Sequence, residues 1–398
     1  MKICVVGLGY IGLPTASLLA TKGHTVTGVD ISPEVVETIN RGDIHIVEPD
    51  LDILVKSAVQ SGHLHAAGEP DEADIYIISV PTPIGAGQEP DLSHVEQATG
   101  AILPYVRKGN LVILESTSPV GTTEEVVAQT LRNGGHDVGS GVYVAYCPER
   151  VLPGKILTEL IDNDRIVGGV DDASTAKAEA FYRTFVRGSI FATDSRTAEM
   201  VKLTENAYRD VNIAFANELS ILCDRDGIDV WELIRLANRH PRVDILSPGP
   251  GVGGHCIAVD PWFIVAGAPE EARLIRTARE VNDAKPEWVV DKVIRTAAGM
   301  DHPRIACLGL TYKADVGDLR ESPALAIVRK LQQRHVGEIL ICEPNLPQGG
   351  EFELVGLEAA ISRADIVVVL VDHTPFRRLK ASDLAGKTVI DTRGMQFG

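Results

Sequence analysis

Three observations in this 398-residue sequence predict an α/β fold: two parallel-sheet, Rossmann-like lobes joined by a helical region with one long central helix. Continuously apolar strand-like runs alternate with helical patterns along residues 1–193, as expected of a parallel sheet covered on both faces. Residues 301–398 repeat that plan. Between them, helical periodicity runs from Asp194 or Ser195 to Asp226 without a glycine or proline. The expected domains are therefore 1–193, 194–300 and 301–398.

The first strand is Lys2–Gly7, followed at once by Gly7-Leu8-Gly9-Tyr10-Ile11-Gly12 and a helical pattern through Ala20. Thr25–Val29 forms a second strand that ends in Asp30. Further strands are expected at Ile75–Val80, Leu111–Leu114 and Val142–Ala145, with helices at Glu34–Asn40 and Asp50–Gln60. In the last lobe Arg304–Leu308 is a strand, and Ser322-Pro323 opens a helix with a capping residue followed by proline. Ile339–Cys342 ends at Glu343, as the earlier strand ended at Asp30. Ala73-Asp74-Ile75…Thr82-Pro83 is echoed by Ala364-Asp365-Ile366…Thr374-Pro375. The central helix, about 30 residues and ~45 Å long, either packs against its twin in a dimer or spaces the lobes.

Thirty-eight Lys and Arg against 55 Asp and Glu leave a net charge of −17, which argues against nucleic acid or an anionic membrane as partner. An anionic substrate would need a local basic patch. The cysteines (Cys4, Cys147, Cys223, Cys256, Cys307, Cys342) show no metal-ligand spacing, so neither a metal site nor a disulfide framework is expected. Cys4, Cys307 and Cys342 lie in apolar strand-like runs and read as inert core. The first 25 residues could be mistaken for a signal peptide, but the glycine pattern gives them another use. No segment approaches ~18 uninterrupted apolar residues, and a cytoplasmic protein is expected.

GxGxxG after a strand and before a helix, with an acid 18 positions beyond Gly12, is a dinucleotide site. Gly7, Gly9 and Gly12 would let pyrophosphate approach the helix N-terminus. Asp30 would bind the adenosine ribose. No Arg or Lys stands in Ile31-Ser32-Pro33 to meet a 2′-phosphate, so NAD is expected rather than NADP. Thr82 and Thr117 follow strands at their carboxyl ends, and their hydroxyls either contact cofactor or form turns. Lys202, Asn206 and Arg209 share one stripe of the long helix, either a solvated face or a site for an anion or alcohol. Cys147-Pro148-Glu149-Arg150 places a carboxylate and a guanidinium after another strand.

Residues 248–260, PGPGVGGHCIAVD, cannot form a helix or central strand; they make a loop whose backbone can crowd a neighbour. Cys256 on that loop is either a nucleophile or a small buried residue. As a nucleophile it needs activation, since only about 3% of an ordinary thiol is thiolate at pH 7. Backbone N–H groups and Lys202 are candidates for that; His255, an immediate neighbour, is not cast as the base, because sequence neighbours often point apart.

GLGYIGLPTA, STSPVGTT, AEMVKLTENAYRD, PGVGGHC and TYKADVGDLRESP together resemble the UDP-glucose/GDP-mannose 6-dehydrogenase family along the whole chain. PERVLPGKI, NRHPRV and GGHCIAVDPWF are most similar to its UDP-N-acetylmannosamine dehydrogenase branch. The resemblance implies a four-electron, two-NAD oxidation of a UDP-sugar C6 hydroxyl through a thiohemiacetal and thioester on Cys256. Lys202 would handle the proton or stabilise the oxyanion, Asn206 and Asp260 would order water, and Glu149 would act in thioester hydrolysis. Tyr10 and Ile11 in the glycine motif and Arg320 would join the NAD site. Arg150, Val151, Arg209, Gly253, Tyr312, Lys313 and Arg393 would hold substrate, while His240 and Arg242 would reach a neighbouring subunit's substrate in a homodimer or higher oligomer. Arg393, in Asp391-Thr392-Arg393-Gly394, stands where the family suggests lysine; the charge is kept but the hydrogen-bonding fork differs. Alternatives are UDP-N-acetylglucosamine or UDP-glucose as substrate, a simple β-hydroxyacid dehydrogenase, or a non-catalytic nucleotide-sugar sensor.

Overall fold

The computed structural model describes residues 1–348, 350–395 and 397. The chain divides into two compact units, Met1–Glu205 and Asn206–Gly398.

The first unit is built on eight strands, β1 (Lys2–Val6), β2 (Thr25–Val29), β3 (Leu64–Ala67), β4 (Ile75–Ile78), β5 (Leu111–Leu114), β6 (Tyr143–Tyr146), β7 (Arg165–Gly169) and β8 (Ile190–Asp194). Their order is β3-β2-β1-β4-β5-β6-β7-β8. Every pairing is parallel except β6 with β7, where Ala145 faces Gly169 in an antiparallel register. Successive residues of a strand point to opposite faces, and both faces are covered. Ile3, Val5, Ile75, Ile77, Leu111 and Ile113 enter one core; Cys4, Val6, Tyr76, Ile78, Val112 and Leu114 enter the other. That is why these runs are apolar throughout. The helices are α1 (Gly12–Thr21), α2 (Pro33–Asn40), α3 (Leu51–Gln60), α4 (Ser93–Ile102), α5 (Gln129–Asn133, continuing a π-helical stretch Thr123–Ala128), α6 (Ile156–Asp162) and α7 (Asp172–Tyr182).

α8 (Ser195–Asp226) is 32 residues long. Asp194 starts it: the Thr197 N–H and hydroxyl donate to the two Asp194 carboxylate oxygens at 2.9 and 2.7 Å. Within the second unit α8 exposes Tyr208, Phe215 and Leu222 (71%, 54% and 39%), spaced seven residues apart. The unit continues with α9 (Val230–Ala237), α10 (Asp260–Gly267), α11 (Arg273–Ala297), α12 (Pro323–Gln333) and α13 (Leu357–Arg363). α8 and α11 share a buried polar network. Arg279 Nη1 donates to Asp210 at 2.5 Å, Asn282 donates to Asp210, and Asn217 donates to Asn282. Asn217 also accepts the Gly249 N–H at 2.8 Å, at the head of the glycine-rich loop.

The second sheet orders β9 (Arg304–Leu308), β10 (Glu338–Cys342), β11 (Ile366–Val369) and β12 (Thr388–Asp391) as β10-β9-β11-β12, all parallel. The echo seen in the sequence is atomic. Lys2 N donates to Asp74 Oδ2 at 2.8 Å and Arg304 N to Asp365 Oδ2 at 2.9 Å, while Asp74 N and Asp365 N return bonds to the Lys2 and Arg304 carbonyls. As the sequence suggested, Ser322 caps α12, accepting from Leu325 N. Among the described residues no helix is long and apolar enough to cross a membrane.

Candidate active site

The turn after β1 is shaped for a dinucleotide. Gly7 has φ +93°, and a Cβ there would lie 2.4 Å from the Ser79 carbonyl oxygen. A Cβ at Gly12 would lie 1.8 Å from the Gly7 carbonyl oxygen. Gly9 differs, because a Cβ there would meet nothing within 4 Å. The fold requires glycine at 7 and 12, whereas a Cβ at Gly9 would clash with nothing in the fold, which leaves room beside the start of α1. Tyr10 and Ile11 lie at that same start, Tyr10 exposed. Asp30 closes the turn by accepting from Leu8 N at 3.1 Å and Ser32 N at 2.9 Å, and it stays only partly buried. These residues fit NAD. At the neighbouring strand ends the Thr82 hydroxyl donates to the Thr117 carbonyl at 2.5 Å, tying the β4 and β5 loops together.

Beyond β6, Glu149 is buried. Arg165 Nη1 donates to its Oε2 at 2.6 Å and Arg150 N to its Oε1 at 2.6 Å. Arg165 is also almost wholly buried; burial alone would lower its proton affinity, but Glu149 together with Cys147, Tyr182 and Glu115 more than offsets that. Its Cζ lies 5.6 Å from the centre of the Tyr182 ring. Arg150 turns away from Glu149 and pairs with Glu205 on α8, Nη2 to Oε1 at 2.8 Å. Val151 packs against the first core.

The second unit holds the thiol. Residues 248–254 have no regular structure and crowd the segment before α12. A Cβ on Gly253 would lie 2.4 Å from the Glu321 carbonyl oxygen, one on Gly254 2.9 Å from the Tyr312 ring, and one on Gly251 2.8 Å from Pro323. The loop was predicted to be bare so that backbone could press against a neighbour, and Tyr312 and Pro323 are that neighbour. Cys256 opens a turn, its carbonyl accepting from Val259 N and Asp260 N at 3.0 and 2.8 Å, so it sits just before α10. It is partly exposed, whereas the other five cysteines are buried. Burial pushes the Cys4, Cys147, Cys307 and Cys342 thiols up to about 12.

His255, not cast as the base from sequence, lies close to the thiol: its Nδ1 is 3.1 Å from Cys256 Sγ. Adjacent side chains diverge in extended chain but can converge in a turn, and 255–259 is a turn. Asn206 Nδ2 donates to the buried Asp260 at 2.5 Å, so two of the residues chosen from sequence do meet. Lys202, buried, stands one turn before Asn206 on α8.

The remaining candidates are placed as follows. Arg209 is exposed. His240 and Arg242 are exposed near one another, with Arg242 N donating to His240 Nδ1 at 3.3 Å. Lys313 is exposed, and Arg320 forks onto Asp318, Nη2 to Oδ2 at 2.6 Å. Arg393 Nε donates to Asp372 at 2.9 Å, and its Nη1 would lie 2.9 Å from a Cβ on Gly249, so the guanidinium flanks the head of the loop. Sequence reasoning gave no role to Arg165, Tyr182, Glu205 or Asp372. Their contacts join residues 16 to 67 positions apart that only the fold brings together.

Fold, glycine turn and lone partly exposed thiol define an NAD-dependent dehydrogenase. The chain belongs to the UDP-glucose/GDP-mannose dehydrogenase family: residues 1–186 match its NAD binding domain, 196–284 its central domain and 306–396 its UDP binding domain. It is 57% identical to an NDP-N-acetyl-D-galactosaminuronic acid dehydrogenase of Ralstonia nicotianae, over 99% of this chain and 96% of that protein. It is 53% identical to a UDP-N-acetyl-D-mannosamine dehydrogenase of Yersinia pestis, over 99% and 98%. Among solved structures, a UDP-N-acetyl-mannosamine dehydrogenase from S. aureus superposes with a TM-score of 0.91 at 44% identity, covering 100% of this chain and 96% of that one.

Proposed function

We propose that this enzyme oxidises the C6 hydroxyl of a UDP-sugar to the carboxylate in two steps at Cys256, and that the sugar is UDP-N-acetyl-D-mannosamine. The observation that carries the reading is the thiol itself, the one cysteine not buried, held at the foot of α10 beside His255. The Gly7–Gly12 turn, Asp30, Thr82, Thr117 and Arg320 would hold NAD, which would supply the hydride acceptor for each oxidation. Lys202 receives the hydroxyl proton or stabilises the oxyanion, while Asn206 and Asp260 order the water beside it. The aldehyde carbon bonds to Cys256 Sγ, and oxidation of that thiohemiacetal leaves a thioester. Water then gives its proton to Glu149, its oxygen bonds to the acyl carbon, and the C–S bond breaks to return the Cys256 thiolate.

Substrate is held by Arg150, Val151, Arg209, Gly253, Tyr312, Lys313 and Arg393, with His240 and Arg242 of a neighbouring subunit. The Tyr208, Phe215, Leu222 seam supports a homodimer along α8, since exposed apolar side chains at heptad spacing seek a partner helix. A cytoplasmic, reducing setting suits a chain whose cysteines are mostly buried, with Cys256 partly exposed. A galacto-configured N-acetylated sugar is the second reading, favoured by the name of the 57% identical relative. NADH formed per limiting sugar should be two; a ratio of one would overturn the two-step reading. Comparing kcat/KM among UDP-N-acetylmannosamine, UDP-N-acetylgalactosamine, UDP-N-acetylglucosamine and UDP-glucose settles the sugar, and preference for any but the first overturns that part.

A further inference from the structure

Beneath Glu149 lies a second carboxyl group for which the reaction just described has no use. Glu115, at the end of β5, is buried; Tyr182 on α7 donates to its Oε1 at 2.7 Å. Among the described residues its Oε2 has no hydrogen-bond partner, and neither has the Arg165 Nε. The charged and titratable groups acting on Glu115 come from several elements: Glu149 and Cys147 beyond β6, Arg165 on β7 and Tyr182 on α7. Two carboxyl groups thus face one guanidinium in a buried place. With both ionised the cluster would carry an uncompensated negative charge away from water, and with both protonated an uncompensated Arg165. One proton on the pair balances it. Glu149 makes the direct 2.6 Å ion pair with Arg165, so it is the carboxylate. Burial, and then the Glu149 charge, push Glu115 up to about 7, which puts the proton there.

We propose that Glu115 and Glu149 hold one proton between them across Arg165, with Glu115 carrying it at rest, so that Glu149 meets the thioester as the free carboxylate. Glu115 is then a positioning residue: it touches no substrate and acts through its charge on the hydrolytic step at Glu149. When Glu115 ionises, its negative charge favours proton transfer from water to Glu149, so thioester hydrolysis should accelerate a second time as pH passes neutrality.

This inference rests on the hydrolytic role given to Glu149 above, and the test separates the two. Thioester hydrolysis is followed by rapid-mixing kinetics across pH with the full-length enzyme, NAD and UDP-N-acetylmannosamine. The wild type should show two inflections. Glu115→Gln, which keeps an acceptor for Tyr182 but cannot ionise, should lose the upper one and hydrolyse several-fold more slowly above neutrality while matching the wild type below it. Tyr182→Phe, which removes a donor that favours the ionised form, should move the upper inflection to higher pH. Infrared titration of the protein without substrate supplies a readout apart from activity: a protonated-carboxyl band should fade through neutrality in the wild type and be missing in Glu115→Gln. An unchanged pH profile and an unchanged band in Glu115→Gln would overturn the proposal, as would an unmoved inflection in Tyr182→Phe. If Glu149→Gln hydrolyses the thioester normally while the band behaves as expected, it is the role of Glu149 that fails and the shared proton that stands.

Discussion

The two sheets begin alike and then put the same turn to different uses. In each, a strand runs into a left-handed glycine, Gly7 (φ +93°) or Gly309 (φ +98°), and the neighbouring strand ends in an acid that accepts N–H groups of that turn. Asp30 accepts two bonds and stays partly open to a ligand. Glu343 is closed off: Leu310 N, Thr311 N and Asn345 N donate to it, and the buried His373 lies 3.0 Å away. Asp315 N donates to His373 Nδ1 at 2.9 Å, which leaves Nε2–H to donate to Glu343. The loops diverge too. In the first lobe the helix opens at Gly12; in the second, residues 310–322 intervene before α12, and that insertion carries Tyr312 and the glycine-loop contacts. A shared scaffold thus keeps its turn chemistry while its acid passes from partly open to fully enclosed.

That contrast sets the largest expected effect. Glu343→Ala should cost about 3–5 kcal/mol, because a buried histidine and three N–H groups lose their acceptor. Asp30→Ala should cost about 1 kcal/mol while weakening NAD at least tenfold. Chemical denaturation and NAD titration of both variants check the pair, and equal stability losses would break the contrast. The glycines should behave alike. Alanine at 7 or 309 must adopt positive φ and meets Ser79 backbone or the Val371 side chain at 2.4 Å, so each should lose roughly 3 kcal/mol by the same denaturation measurement.

A third prediction turns on sign. Although burial opposes it, Glu343 is held below the usual glutamate range by its donors, so it stabilises the fold above its unfolded value and that contribution fades as pH falls. Glu115 is the reverse. Raised from 4.5 to about 7, it stays protonated where the unfolded chain has already ionised, and stability falls as pH climbs through that window. Glu115→Gln should therefore be more stable than wild type near neutrality, by on the order of 2 kcal/mol, with the gain vanishing in acid. Denaturation midpoints against pH decide it; a gain that persists at low pH would point to packing. The smallest stability effect is expected at Gly9. Gly9→Ala meets no neighbour and should change stability by less than about 0.5 kcal/mol, yet reduce NAD affinity about tenfold, read by calorimetry.

Strands buried on both faces were readable because nothing polar interrupts them, as in Ile75–Ile78 and Leu111–Leu114. β7 carries two glycines and β8 is half exposed, so neither presented an apolar run. α11 escaped notice because its sequence is highly charged and contains Pro286. In the site, Cys256, Asn206 and Asp260 could be picked out because a glycine-rich loop and a helical stripe announce themselves. The Glu149–Arg165 and Glu115–Tyr182 pairs join residues 16 and 67 positions apart, and only the folded sheet brings them together. The closeness of His255 to the thiol was not legible, because adjacent side chains converge only where the chain turns.

The distribution of the six thiols has a consequence for oxidative damage. Five are buried, and four of these hold their protons far above neutrality, so a peroxide meets one reactive sulfur in the native protein. Loss of activity should follow a single exponential and reverse with a dithiol reductant while Cys256 is still a sulfenic acid. Once it reaches the sulfinic acid the loss is permanent, and no second cysteine in the native fold stands exposed to resolve it.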